Sequence, residues 1–186
     1  MIFEALECVS ADLDRRLRSR DDSRPRVKVS GLVGPDGNAS FEPDTVALAL
    51  IGLDEERNVM ERELPSAAGR PIPRTSEVLY VNLHVLFAAT HQRYDTALRA
   101  LAGVVGHLKG KPVFDARNTP GFPEELRQLT VNLEKLGYSE LSHIWSYLGM
   151  SYLPSAFYTL RMVAIGRPQL RELVPAIADV RVEAGT

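Results

Sequence analysis

The run from Glu77 to Ala89 constrains this chain more than any other stretch. Leu79, Val81, Leu83, Val85 and Phe87 fall on one side of an extended chain with no polar exception, and Tyr80, Asn82, His84 and Leu86 fall on the other. Side chains of a strand point alternately to opposite faces, so this run is a strand with one face in a core and one mixed face. Such a strand needs neighbours in a sheet and a layer that covers its apolar side.

The covering layer is legible on both sides of it. Ile2, Leu6, Val9, Leu13 and Leu17 recur at helical spacing, and the helix is expected to stop in the polar stretch ending at Pro25. A second helix spans Tyr94–Lys109, with Tyr94, Leu98, Leu101, Val105 and Leu108 as its expected core stripe and Ala97 and Val104 at the edge. Gly103 and Gly106 in that helix are read as sites of close approach to the sheet. A third helix is expected from an N-cap at Ser139 through Tyr147, closed by Gly149, with Leu141, Ile144, Trp145 and Leu148 inward.

The other strands are weaker signals. Val27 and Val29 make a short one, Pro35-Asp36-Gly37-Asn38 is turn chemistry, and Thr45–Leu53 is apolar on both faces, as in a strand covered on both sides. Asp54–Ser76 is polar and rich in Pro and Gly; its start extends the strand and the rest is an exposed loop. Val113–Asp115 is a short strand and Asn118-Thr119-Pro120-Gly121 a turn. Leu126–Leu136 alternates, with Leu129, Val131 and Leu133 inward and Gln128, Thr130, Asn132 and Glu134 toward solvent or a partner. Ser155–Ile165 is another strand. Links such as Ala89 to Tyr94 are too short for the crossovers of a repeated βαβ pattern. The expected fold is therefore α+β, a mixed or mostly antiparallel sheet with packed helices. Residues 1–166 form the domain, and 167–186 add a last strand, broken by Pro175, or a tail.

Composition narrows the function classes. A chain of 186 residues buries about 70% of its unfolded surface and folds without disulfide or metal. The net charge of −2 gives no electrostatic reason to bind nucleic acid or an anionic membrane. No apolar run reaches the roughly 18 residues of a membrane span, and the N-terminus is not a signal peptide. Cys8 is the lone cysteine, lies in an apolar helical pattern and is read as packing; a reducing compartment follows.

No stretch carries a specific catalytic or ligand motif. There is no phosphate loop, nucleophile elbow or zinc-ligand spacing. Ser139 or Ser142 with His143 and Asp95 can be written as nucleophile, base and orienter, but nothing in their spacing demands it. His84, His91, His107 and His143 are read as structural or surface groups, and Asp54-Glu55-Glu56 as a solvated loop rather than a cation site. No catalytic, metal or cofactor residue is assigned. The late aromatics Tyr138, Trp145, Tyr147, Tyr152, Phe157 and Tyr158 read as core with some interface contribution.

Two blocks point further. One runs from Glu77 through the Ala89-Thr90 step into the Tyr94-led helix. The other runs from Leu129–Leu133 through Glu134, Lys135, Leu136, Ser139-Glu140-Leu141, Ile144-Trp145 and Leu148-Gly149 to Pro154-Ser155-Ala156-Phe157-Tyr158. In that order, and with the N-terminal helix, they resemble the N-terminal domain family of the cap protein of extracellular contractile injection systems of the virulence-cassette and antifeeding-prophage type. The resemblance covers about residues 1–166. It implies a phage tail-terminator-like fold and a structural, non-enzymatic subunit. Such a subunit is assembled in the cytoplasm and forms a ring, a hexamer, on the distal end of the inner tube and sheath. Its partners would be its own copies, the tube protein and the sheath protein, with no cofactor. No substantial extension follows the resembling region, which argues against a role that needs an added domain. The long loop at 54–76 and the polar face of 126–136 are the expected contact surfaces by exposure. Two other readings stand beside this one: an adaptor of tube or sheath elsewhere in the same machine, and a small enzyme or ligand-binding domain built on His84 and His143. A deep pocket joining a histidine to a carboxylate would favour the last.

Overall fold

The computed structural model describes residues 1–18, 26–56 and 79–165. The elements run α1 (Ile2–Arg18), β1 (Arg26–Val29), β2 (Thr45–Glu55), β3 (Leu79–Ala89), α2 (Tyr94–Gly110), β4 (Val113–Phe114), β5 (Leu129–Leu133), α3 (Tyr138–Leu148) and β6 (Ser155–Ile165). The six strands form one sheet in the order β1-β2-β3-β6-β5-β4. β1 pairs with β2 in parallel and every other pairing is antiparallel. The fold is α+β with a mixed sheet. The readings of 57–78 as an exposed loop joined to the start of a strand, and of 167–186 as strand or tail, lie outside the described residues.

Each face of the sheet has its own core. On one face Leu6, Val9, Leu13 and Leu17 of α1 and Ala100, Val104 and Leu108 of α2 pack on Val46, Leu48, Val81, Leu83, Val85, Phe87, Tyr158 and Leu160. Phe87 and Tyr158 meet edge to face with ring centroids 5.5 Å apart, a geometry that adds about 0.5–1.5 kcal/mol beyond the area it buries. On the other face Trp145 of α3 packs with Ala47, Ala49, Leu86 and Ala88, and with Leu32 from the β1–β2 connection. Thr45–Ala49 is thus covered on both sides, as its unbroken apolar run requires, whereas Leu50 and Leu53 beyond it are exposed.

Three details of the helices differ from the sequence reading. The buried residues of α2 are Ala97, Ala100, Val104 and Leu108, while Tyr94 and Leu98 of the expected core stripe are exposed. Interaxial distance follows the bulk at a helix contact, and the two alanines let α2 sit close where tyrosine and leucine would hold it away. Gly103 faces α1 rather than the sheet: a Cβ there would lie 2.9 Å from Leu17 Cδ2, and one at Gly106 would meet nothing within 4 Å. The third helix begins at Tyr138 with Gly137 as its N-cap, where the Gly137 N–H donates to Glu140 Oε2 at 2.7 Å. Ser139 therefore sits inside the first turn. Gly149 ends the helix with φ 65°, the left-handed conformation that glycine adopts without steric penalty.

β5 is also shorter than the alternating run from 126 to 136. Leu126 is buried in the turn before it, and Leu133 is 59% exposed where β4 no longer flanks it. At the opposite edge the buried Ser10 hydroxyl donates to the Val27 carbonyl at 3.1 Å, tying α1 to the edge strand.

Candidate functional site

The mixed face of β3 carries a polar network across three strands. His84 Nε2 lies 2.8 Å from Asp54 Oδ2 on β2, and His84 Nδ1 lies 3.1 Å from the Thr159 hydroxyl on β6. Asn82 Nδ2 donates to Asp54 at 3.0 Å and to Glu56 at 3.2 Å. Arg161 Nη2 donates to Glu56 Oε2 at 2.6 Å. Hydrogen bonds from His84 and then Asn82 hold the Asp54 carboxyl below the usual carboxylate range. The bond to Glu56 pushes the Arg161 guanidinium higher still. Asp54-Glu55-Glu56 is therefore not a solvated loop: Asp54 and Glu55 end β2, and Glu56 is buried against Arg161.

Asp54, His84 and Thr159 have the connectivity of carboxylate, base and hydroxyl. Thr159, on β6 between β3 and β5, is only 5% exposed. The physical work of the network is to pair strands, each charge-assisted bond contributing about 1.5–3 kcal/mol where it is shielded and less where it is open to solvent.

His107 has a different task. Its Nε2 lies 2.8 Å from Asp12 Oδ2, Lys111 Nζ lies 3.0 Å from Asp12 Oδ1, and Lys111 also donates to the Asn118 carbonyl at 3.0 Å. This clasp joins α1 to the end of α2 and to the loop beyond β4. Burial by itself would raise the Asp12 carboxyl, but the bonds from His107 and Lys111 outweigh it and leave the group lowered.

The remaining candidates are scattered. His91 has both ring nitrogens buried without a hydrogen-bond partner, and burial lowers its pKa against the opposing pull of Asp44. His143 is exposed on α3. Asp95 is bonded to Arg93 at the start of α2, on the other side of the sheet from His143, so Ser139, Ser142, His143 and Asp95 are not brought together. Cys8 is buried, and burial raises its thiol pKa. Among the described residues no group of three or more His, Cys, Asp or Glu side chains is placed to hold a metal ion, and no helix is long and apolar enough to cross a membrane.

The late aromatics divide. Trp145 and Tyr158 are buried, while Tyr138, Tyr147 and Tyr152 are exposed. Tyr138, Leu141, Ser142, Trp145, Ser146 and Tyr152 line an open groove along α3, with the Trp145 and Tyr152 rings edge to face at 5.5 Å. Sequence reasoning found the aromatics but not the groove, because its far wall is the loop after the helix.

The fold and these surfaces can be set beside known proteins. A family model described as the Pvc16 N-terminal domain matches residues 7–178. The chain belongs to this family. Two solved structures share the fold. One is the sheath/tube terminator, in its extended state, of an extracellular contractile injection system (PVC). It has TM-score 0.59 and 18% identity over 100% of this chain and 64% of that one. The other is the tube-terminating cap of the anti-feeding prophage, with TM-score 0.53 and 16% identity over 94% of this chain and 60% of that one. This member of the family thus spans less than two thirds of either structure's chain. No curated protein matches the sequence.

Proposed function

We propose that this chain is a cap, or tail-terminator, subunit of a phage-tail-like contractile injection particle. It assembles as a ring on the distal end of the inner tube and sheath and stops their growth. The observation that carries the reading is the fold: the sheath/tube terminator has the same fold over 100% of this chain, and the family match spans residues 7–178.

The chemistry of the surface suits the task. A growing polymer presents the same binding surface after each added ring, so a terminator must offer one face to the last ring and an unreceptive face to the next. The network on the mixed sheet face supplies an unreceptive surface. Asp54 is taken by His84 and Asn82, and Glu56 by Arg161. A further ring would have to desolvate charges already satisfied within the subunit, which is unfavourable. In this reading the subunit is structural and has no turnover. Its partners are its own copies, the tube protein and the sheath protein, and it acts within the particle after assembly in the cytoplasm.

Deleting the gene and measuring particles by electron microscopy tests the proposal. Tubes of scattered length, or sheaths that fail to stay extended, are expected. Unchanged lengths with intact, contractile sheaths would place termination elsewhere.

A further inference from the structure

β2 outruns the strand beside it. β1 pairs with Thr45–Leu48, and just past it the Ser30 N–H donates to the Leu48 carbonyl at 3.1 Å. β2 continues to Glu55 and stays paired with β3. The Glu56 N–H points toward β3, donating to the Tyr80 carbonyl at 2.8 Å. Backbone groups alternate between the two sides of a strand, so Leu53 turns its N–H and carbonyl away from β3, to a side where no strand lies among the described residues. Leu50 and Leu53 stand opposite Val85 and Leu83, on the face that α1 and α2 cover, yet they are 40% and 52% exposed. An open apolar edge of this kind is a template for one more strand.

The chain leaves the sheet at the same end. Ile165, the last residue of β6, pairs with Leu79, and Glu55 pairs with Val81 two residues along β3. The open position outside β2 is three strand steps from β6, about 14 Å at the usual strand spacing. Residues 166–177 reach about 40 Å when extended, ample to cross. The sequence then alternates, with Ala178, Val180 and Val182 on one side and Asp179, Arg181 and Glu183 on the other, and both prolines, Pro168 and Pro175, fall before it. A strand returning from this end runs antiparallel to β2 and passes Leu53 before Leu50. The register shift between Leu50 and Gly52 sets Leu50 and Leu53 two positions apart, since their partners on β3 are Val85 and Leu83. Val180 and Val182 have that same spacing.

We infer that residues 178–182 of the same chain add to the sheet as an antiparallel edge strand along Leu50–Glu55. Val180 lies beside Leu53 and Val182 beside Leu50, covering both leucines, while Asp179 and Arg181 take the opposite face. A segment tethered this close to its site competes at an effective concentration in the millimolar range, which selects it over a separate copy. The added strand withholds from other chains an edge that would otherwise invite them. This assignment stands apart from the terminator reading.

Amide hydrogen exchange of the full-length chain, read residue by residue by NMR at low protein concentration, tests it. The Leu53 amide should exchange about a hundredfold or more slower than in an unstructured peptide. Val180→Pro, which cannot pair as an interior strand residue, should abolish that protection while the amides of β3 and β6 keep theirs, which also shows that the variant folds. In a Cys8→Ala background, Leu53→Cys with Val180→Cys should close an intramolecular disulfide on mild oxidation, and Leu53→Cys with Arg181→Cys, on the other face, should close it far less. Several results would overturn the assignment: a Leu53 amide that exchanges freely in the parent; protection that survives Val180→Pro, as pairing by residues 57–78 would give; equal cross-linking of the two cysteine pairs; or protection and cross-links that appear only as protein concentration rises, the mark of a second copy.

Discussion

Replacing Asp12 by Asn should be the most damaging single polar change in the described fold. The carboxylate is 12% exposed and its partners His107 and Lys111 are 14% and 21% exposed, so solvent screens the cluster little. Removing one member of a fully buried ionic cluster costs about 3–5 kcal/mol, because the remaining charge is left without compensation. Here Lys111 keeps the Asn118 carbonyl and the asparagine retains one acceptor, so a loss of about 2–3 kcal/mol is expected. In a chain of this size that corresponds to a fall in Tm of roughly 5–10 °C. The pH dependence follows from the lowered carboxyl. Its folded pKa lies below its unfolded one. The stability it contributes is present above the unfolded carboxylate range and is lost as pH falls through the folded value. The gap between parent and Asp12→Asn should therefore be wide at neutral pH and narrow at the acid end. Urea unfolding followed by circular dichroism from pH 7 downward measures it. A variant within about 0.5 kcal/mol of the parent at pH 7, or a gap that widens in acid, would refute this account of the clasp.

Other substitutions probe separate features. Gly106→Ala adds a Cβ that meets nothing and should stabilise α2 by about 0.5–1 kcal/mol, whereas Gly103→Ala should gain less because Leu17 must shift; chemical denaturation of the two variants compares them. Arg161→Leu leaves the Glu56 carboxylate buried without its guanidinium and should lower stability by about 1–2 kcal/mol, discounted for the exposure of Arg161; a Tm equal to the parent's would contradict the pairing. Replacing His84, His91, His107 or His143 one at a time should alter stability or assembly only, His107 most and the exposed His143 least. A single replacement that abolished a measurable turnover while fold and assembly stayed intact would restore the enzyme reading.

The sequence by itself determined most of the elements, for reasons local to each. α1 and β3 were legible because their apolar residues keep one period without exception. The end of α3 was marked by Gly149, where backbone preference alone stops a helix. The mixed face of β3, and a sheet more antiparallel than parallel, followed from the alternation of side chains and from short links. Tertiary structure decided what depends on separation in the chain. Glu56 finds Arg161 105 residues away, and Asp12 finds His107 95 residues away; no spacing rule reaches so far. β6 enters the sheet between β3 and β5, which makes Thr159 a buried partner of His84. On α2 the sequence reading took the bulkier stripe of Tyr94, Leu98, Leu101, Val105 and Leu108 as core, with Ala97 and Val104 at its edge, and the structure reversed that ranking. The sheet and α1 took the stripe whose alanines allow close approach, because dispersion and burial both reward the shorter distance. That choice left Tyr94 and Leu98 exposed.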